Sequence, residues 1–173
     1  MASATVLSCL LLTTIRCGFA GEYVVRDAWQ LRKALSVLKA GDVLKIAPGT
    51  YPGGNYVKGI SNLTVTALEP QRPPVFEGGK TGWHFSECPG LVLRHLHVRS
   101  QSANGLNIDD GGATKPLVER VRLEGIHVSD IGPEGNCDGI KLSGLRGVVI
   151  RNCVVTGWGG QAVDFVGCHD VLV

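Results

Sequence analysis

Three ionisable residues in the second half of the chain are spaced so that they could act together. Lys141 follows Asp138 by three residues, and Asp164 occupies the matching place in the next repeat of the sequence. A lysine whose pKa is lowered by burial or a like charge can serve as a base, and carboxylates supply the oxygen ligands that calcium takes. The same residues also fit an ion pair between adjacent repeats, which would keep Lys141 protonated. Both interpretations stay open.

A repeated strand pattern positions these residues. Short apolar runs return at spacings of 28, 30, 27 and 23 residues, and periods of this size indicate stacked structural repeats. The aligned runs are Leu63-Thr64-Val65, Leu91-Val92-Leu93, Val121-Arg122-Leu123, Val148-Val149-Ile150 and Val171-Leu172-Val173.

A second set of runs lies upstream in each repeat and alternates apolar, polar and apolar residues. Such alternation predicts strands that point one side chain outward between two inward ones. A polar residue stands three positions before each outward residue, and a small residue stands two positions before it, where a tight turn would enter the strand. These runs are Trp83-His84-Phe85, Leu106-Asn107-Ile108, Ile140-Lys141-Leu142 and Val163-Asp164-Phe165.

One outward column carries charges of alternating sign. Arg94, Glu124 and Arg151 align in three successive repeats, so each charge is predicted to lie ~4.8 Å from an opposite neighbour in the adjacent coil. Apolar side chains align on the inward face of the same repeats. The pattern therefore predicts a bore filled by apolar ladders and a polar outer surface.

Before the repeats, an apolar spacing of three or four residues from Ala28 to Leu38 predicts one amphipathic helix, with Asp27 as its N-cap and Gly41 after its end. Short strands with no helices between them exclude a doubly wound sheet. The predicted fold class is all-β, a right-handed parallel β-helix (solenoid) with a short N-terminal capping helix that covers the open edge of the first coil.

The stretch YVVRDAWQLRKALSVLKAGDVLKIAPGTYPGG resembles the N-terminal cap and first coil of secreted right-handed β-helix proteins of the pectate-lyase-like superfold, which include alginate and chondroitin lyases. The resemblance covers about residues 23–173. It implies a secreted protein that binds an acidic polysaccharide and cleaves it by β-elimination, with calcium as a possible cofactor. The superfold also contains hydrolases and proteins without activity, so a non-catalytic structural or carbohydrate-binding β-helix is the alternative.

β-Elimination needs a base beside the substrate carboxylate and a positive group that stabilises the charge formed there. On this pattern we assign Lys141 as the catalytic residue. Asp138 and Asp164 are the predicted calcium ligands, with Asp109 and Asp110 as further oxygen donors. The predicted substrate-binding residues are Asn104, Asn107, Gln161 and Trp158, the last as an aromatic platform in a glycine-rich turn.

The segment Asn136-Cys137-Asp138-Gly139-Ile140 resembles part of the polygalacturonase-type hydrolases, which gives a second alternative, a glycoside hydrolase. The Asp109-Asp110 pair precedes that segment here, whereas it follows it in that family. His97 and His127 align one coil apart, as a solvated pair or as two imidazole ligands of a metal.

Composition and charge narrow the remaining classes. The net charge of +2 has no basic run behind it, so neither nucleic acid nor an anionic membrane is an expected partner. Residues 1–20 contain an apolar stretch that ends in small residues, which predicts a signal peptide and a secreted or periplasmic location. The predicted organisation is completed by residues 21–42 as the cap and residues 43–173 as coils, and further coils are expected after Val173.

Of the six cysteines, Cys9 and Cys17 belong to the predicted signal peptide. Cys88 and Cys168 are predicted to be too far apart for a disulfide, and Cys153 to belong to an inward ladder. Cys88, Cys153 and Cys168 are therefore interpreted as small buried apolar residues, and the role of Cys137 stays open.

Overall fold

The computed structural model describes residues 20–112 and 117–173, which form a parallel β-solenoid of about four turns. The predicted signal peptide lies outside the described residues apart from Ala20. Each turn passes in order through three sheets, called here A, B and C. This arrangement confirms the predicted fold class. No helix within the described ranges is long and apolar enough to cross a membrane.

The strands of each sheet come from successive turns. Sheet A contains β1 (Glu22–Val25), β2 (Val43–Ile46), β5 (Thr64–Ala67), β8 (Val92–Arg94), β11 (Val118–Glu119), β12 (Arg122–Glu124), β15 (Leu145–Arg151) and β18 (His169–Leu172). Sheet B contains β3 (Thr50–Pro52), β6 (Val75–Glu77), β9 (His97–Arg99), β13 (His127–Ile131) and β16 (Val154–Trp158). Sheet C contains β4 (Asn55–Lys58), β7 (Trp83–Ser86), β10 (Leu106–Asp109), β14 (Ile140–Ser143) and β17 (Val163–Val166).

The capping helix α1 (Ala28–Leu35) begins where Asp27 accepts a hydrogen bond from the backbone N–H of Gln30 at 2.7 Å. This N-cap satisfies one of the free N–H groups of the first turn. Leu31 and Ala34 are buried against the first coil. The helix ends at Leu35, one turn earlier than the apolar spacing predicted, although Leu38 still packs into the core.

The bore of the solenoid is filled by the predicted apolar ladders. Leu63, Leu91, Val121 and Val148 are all fully buried, one in each successive turn. On the inner side of sheet C, the rings of Trp83 and Phe85 stack with their centroids 5.2 Å apart. This continuous core is what stabilises a solenoid, because each turn buries its apolar face only against its neighbours.

The small residues before the strands of sheet C are required by close packing between turns. A Cβ atom on Gly105 would lie 2.5 Å from the carbonyl oxygen of Gly139 in the next turn. A side chain at this place would therefore force the two turns apart. The glycines keep adjacent strands of sheet C in register, and this register aligns the outward side chains described next.

The predicted charge column on sheet A forms in part. Arg94 Nε donates a hydrogen bond to Glu124 Oε2 at 3.0 Å. Glu124 and Arg151 occupy adjacent register positions, but no ion pair joins them among the described residues. The register was predicted correctly. It did not predict that Glu124 forms its ion pair with Arg94 and not with Arg151.

Candidate functional site

One outward column of sheet C contains polar and aromatic side chains from the five strands of that sheet. The backbone register pairs Tyr56 with His84, His84 with Asn107, Asn107 with Lys141, and Lys141 with Asp164. Because parallel strands lie ~4.8 Å apart, these side chains form a continuous row along the solenoid axis. The alignment made from the sequence contained four of the five positions and lacked Tyr56.

A neighbouring column lies two residues further along each strand and contains Lys58, Ser86, Asp109 and Ser143. Together the two columns line an open cavity of about 410 Å³. Asp110, Gly111 and Gly112 form one side of it. Of the residues predicted to form a site, Lys141, Asn107, Asp109 and Asp110 line this cavity.

Lys141 contacts both carboxylates that the sequence placed beside it. Its Nζ lies 2.5 Å from Asp164 Oδ2 and 3.2 Å from Asp138 Oδ2. The hydrogen bond to Asp164 is the main cause that raises the pKa of Lys141, partial burial opposes it, and Asp138 adds to the rise. Lys141 is therefore a fixed positive charge in the cavity wall and is poorly suited to accept a proton.

Asp138 is fully buried, although its place in the repeat suggested an outward ligand. Its Oδ1 accepts a hydrogen bond from the backbone N–H of Gln161 at 2.9 Å, and its Oδ2 accepts from Lys141. A buried carboxylate needs such partners to offset the loss of water. Asp138 thus holds the turn before β17 and the Lys141 side chain in place, and the side chain of Gln161 stays exposed.

The pair Asp138 and Asp164 does not fit a calcium ion in this arrangement, because the Lys141 ammonium occupies the position between the two carboxylates. Calcium takes six to eight oxygen ligands, and one oxygen of Asp138 is already used by a backbone N–H. Among the described residues, no group of three or more His, Cys, Asp or Glu side chains is placed to hold a metal. Calcium binding stays a prediction.

His84 and Asp109 form a pair that the sequence analysis missed. His84 Nε2 lies 2.6 Å from Asp109 Oδ2, and both side chains line the cavity. Asp109 belongs to the next turn but to the second column, so it is a diagonal neighbour of His84. The sequence comparison followed single columns, and a search of diagonal positions two residues away would have found the pair.

The ionisation of Asp109 follows from its surroundings. Burial raises the pKa of its carboxyl, but hydrogen bonds with Ser86, His84 and the Gly111 backbone N–H outweigh that effect and hold the pKa below its usual value. Asp109 is therefore a carboxylate at neutral pH and can only accept hydrogen bonds. His84 Nε2 must then carry the proton of this hydrogen bond, which leaves Nδ1 as the basic nitrogen of the neutral ring.

Tyr56 packs edge-on against the His84 ring, with the centroids 4.9 Å apart, and about half of its side chain is exposed. At the same end of the cavity, Lys58 Nζ lies 3.0 Å from Glu87 Oε1. The cavity lining thus combines an aromatic ring, two lysines and two aspartates. Lys58 and Lys141 are each paired with carboxylates, so the cavity has no excess of positive charge.

Two further predictions concern residues outside this cavity. Trp158 ends β16 in sheet B, pairs in register with Ile131, and is 43% exposed, so it does not share a sheet with Lys141. His97 and His127 stack on sheet B with their centroids 4.2 Å apart and their planes at 7°. Parallel stacked rings point their nitrogen lone pairs side by side, which fits a solvated pair better than two ligands of one metal.

The four described cysteines are all free thiols. Cys88 is fully buried, and Cys153 and Cys168 pack against the core, as predicted for small apolar residues. Burial is the main cause that raises the pKa of each of these three thiols. None of them is therefore an activated nucleophile.

Comparison with known proteins agrees with the fold. No protein-family model matches the sequence, and no curated protein matches it significantly. The structure is similar to the crystal structure of an alginate lyase from Paenibacillus sp. str. FPU-7, with a TM-score of 0.58 and 16% sequence identity. The match covers 87% of this chain and 65% of the alginate lyase, so the chain spans less than two thirds of that protein's length.

The fold and the row of outward polar residues define a class: a parallel β-solenoid with an open polar groove on one sheet. At 16% identity the likeness establishes the solenoid fold that this chain shares with the alginate lyase. Activity has to be argued from the groove itself.

Proposed function

We propose that this protein binds an acidic polysaccharide in the sheet C groove and cleaves it by β-elimination. The observation that carries the proposal is the His84–Asp109 pair, with 2.6 Å between Nε2 and Oδ2, inside a cavity that also presents the cationic Lys141. The solenoid fold shared with an alginate lyase supports the same reaction class.

In this reaction a base removes the proton from the carbon that carries the carboxylate. The electron pair forms a carbon–carbon double bond as the neighbouring C–O bond breaks, and the leaving oxygen takes a proton. His84 is the proposed base, because the bond from its Nε2 to the Asp109 carboxylate leaves Nδ1 of the neutral ring as a proton acceptor. Asp109 fixes the tautomer and stabilises the imidazolium ion that forms.

Lys141 takes the second role. Its ammonium group lies in the row next to Asn107 and two turns from His84, where it attracts the uronate carboxylate and stabilises the negative charge that develops during proton removal. This assignment keeps Lys141 as a catalytic residue and replaces the function of base by that of a fixed positive charge.

The balanced charge of the cavity predicts how the substrate is recognised. Two lysines and two aspartates line it, so directed hydrogen bonds, and not a broad positive field, would supply most of the affinity. We therefore expect binding to depend only weakly on salt concentration. A strongly basic groove would show the opposite behaviour.

The location proposed for this activity is outside the cell or in the periplasm. The apolar segment of residues 1–20 with its small-residue end supports export. Expression of the full chain in a secreting host, followed by N-terminal sequencing of the exported protein, tests this. We expect the mature chain to begin at or near Gly21.

The activity is tested by incubating the protein with alginate, pectate and chondroitin, with and without calcium. The unsaturated product of elimination is followed by its ultraviolet absorbance. A signal on one of these uronate polymers supports the proposal. Binding without any signal would overturn the cleavage step and identify a non-catalytic carbohydrate-binding solenoid. If the protein neither binds these polymers nor produces a signal, the whole proposal is overturned.

A further inference from the structure

The side-chain amides of Asn104 and Asn107 have orientations that the backbone determines. The backbone N–H of Asp138 donates to the Asn104 side chain at 2.8 Å. A backbone N–H can only donate, so the atom of Asn104 that faces it must be the oxygen Oδ1. The amide nitrogen of Asn104 therefore faces the opposite way.

This orientation is passed on to Asn107. Asn104 Nδ2 donates to Asn107 Oδ1 at 2.9 Å. Because Asn107 must accept this hydrogen bond through its oxygen, its own Nδ2 is turned away from Asn104. Asn107 lines the cavity between His84 and Lys141, whereas Asn104 does not line it. The atom that Asn107 keeps available is thus a donor.

Lys141 adds to the same pattern. An ammonium group has three N–H donors and no acceptor, and Lys141 uses two of its donors on Asp138 and Asp164. Asp138 Oδ2 and Asp164 Oδ2 are the acceptors of these two bonds, and Asp138 Oδ1 accepts from the Gln161 backbone N–H. Next to His84, the row therefore presents the Nδ2 donors of Asn107 and one remaining donor of Lys141.

We propose that Asn104 is a positioning residue that turns the Asn107 amide N–H toward the groove, where it favours a substrate carboxylate over a neutral hydroxymethyl group. Asn104 acts through Asn107 and does not contact the substrate. The proposal rests on the proposed function, since it names the group of the polysaccharide that lies beside His84. In this proposal Asn104 acts on the substrate through Asn107, whereas the sequence predicted that Asn104 binds the substrate directly.

The substitution Asn104→Asp tests the mechanism with almost no change of shape. One oxygen of the new carboxylate can still accept from the Asp138 N–H, but the other replaces the Nδ2 donor. Asn107 must then turn over to donate to it, which presents Oδ1 to the groove. Asn152→Asp is the matched control, because it is the same substitution at an exposed asparagine between β15 and β16, outside the cavity lining.

Binding is measured with tetrasaccharides from pectate and alginate and with their carboxyl-reduced, neutral forms, in a His84→Ala background that prevents cleavage. We expect Asn104→Asp to weaken uronate binding roughly 10- to 100-fold, as expected for loss of a hydrogen bond to a charged group. Asn152→Asp should change it less than about 3-fold on the same scale. Binding of the neutral forms should not weaken in either variant.

A second readout does not depend on affinity. The NMR signals of the Asn107 side-chain NH2 should shift when a uronate tetrasaccharide is added to the Asn104-containing protein and should not respond in Asn104→Asp. If Asn104→Asp proves unstable, Asn104→Ala, which frees Asn107 to rotate, should show a partial loss of uronate preference.

The outcomes separate the two proposals. If the Asn104-containing protein binds no uronate, both the proposed function and this inference are overturned. If it binds uronate and Asn104→Asp behaves like Asn152→Asp, only the inference is overturned. A large loss confined to the uronate form in Asn104→Asp supports both.

Discussion

Two faces of the solenoid carry histidines in register, and they use them differently. On sheet C, His84 is paired with the Asp109 carboxylate beside an open cavity. On sheet B, His97 stacks on His127, and its Nε2 lies 3.1 Å from the hydroxyl of Ser129. Both are outward positions of short parallel strands, yet of the two only His84 is hydrogen-bonded to a carboxylate.

The difference shows that a position in a repeat does not by itself define chemistry. Burial is the main cause that lowers the pKa of His97, and the neighbouring His127 adds to the effect. Burial and a like neighbour in the same column thus disfavour a charge on His97, whereas His84 is hydrogen-bonded to a carboxylate in the diagonal position. The substitutions below test this contrast, beginning with the largest expected effect.

Single substitutions of His84 and His97 should give the largest difference in activity between the two faces. His84→Ala is expected to lower kcat for uronan elimination by roughly 10²- to 10⁴-fold, the usual contribution of a general base. His97→Ala, the matched change on sheet B, should leave the rate within about 2-fold, since it lies outside the groove. Initial rates of double-bond formation measure both variants, and equal losses would contradict the assignment.

The carboxylate partner of His84 should contribute less than the base. Asp109→Asn keeps an oxygen that can accept from His84 Nε2 but removes the negative charge that stabilises the imidazolium ion. We expect kcat to fall roughly 10- to 10³-fold with a smaller change in KM. Steady-state kinetics and the pH profile of kcat measure this, and an unchanged rate would show that Asp109 has no role in the reaction.

Much of the fold could be predicted because a solenoid repeats one register. Leu63, Leu91, Val121 and Val148 align in the sequence, and all are buried in one ladder. Less of the candidate site could be predicted from the sequence. The contact between His84 and Asp109 crosses from one column to the next, and only the backbone geometry shows that these side chains meet.

The charge network of the groove should also affect stability. Lys141→Met keeps the aliphatic part of the side chain but leaves the buried Asp138 without its ammonium partner. We expect the free energy of unfolding to fall by about 1–3 kcal/mol at neutral pH. Urea denaturation measures it. Lys58→Met, at a half-exposed surface pair, is the control and should change stability by less than about 1 kcal/mol.

The stacked histidines should give the smallest effect, a dependence of stability on pH. The pKa of His97 is lower in the folded state than in the unfolded state, where it is about 6.5. The unfolded state therefore binds the proton more readily. Stability should fall as the pH drops below about 6.5 and level off below the folded-state pKa.

His127→Gln removes one of the causes of that lowered pKa, whereas Arg99, Asp130 and Glu77 remain near His97. We expect a flatter dependence of the unfolding free energy on pH between about 8 and 5 in this variant. A curve that coincides with that of the unsubstituted protein would show that the stacked pair is not coupled.

The hydrogen-bond partners and burial of the site residues could not be predicted from the sequence. The alignment placed Lys141 beside Asp138 and Asp164 correctly, but it could not show that Asp138 is fully buried and bonded to a backbone N–H. Trp158 was assigned to a turn because glycines surround it, whereas it ends β16 on another sheet. Turns and strand ends differ by a few backbone angles that residue types do not specify.

The central claim is that the groove eliminates rather than hydrolyses, and the oxygen balance of the products tests it most directly. The protein is incubated with alginate and pectate in water enriched in oxygen-18, and the oligosaccharides are analysed by mass spectrometry. Elimination predicts one unsaturated end for each cleavage, no oxygen-18 incorporated by the cleavage itself, and loss of all products in His84→Ala. Saturated products that carry oxygen-18 at the site of cleavage would contradict the account and identify a hydrolase instead.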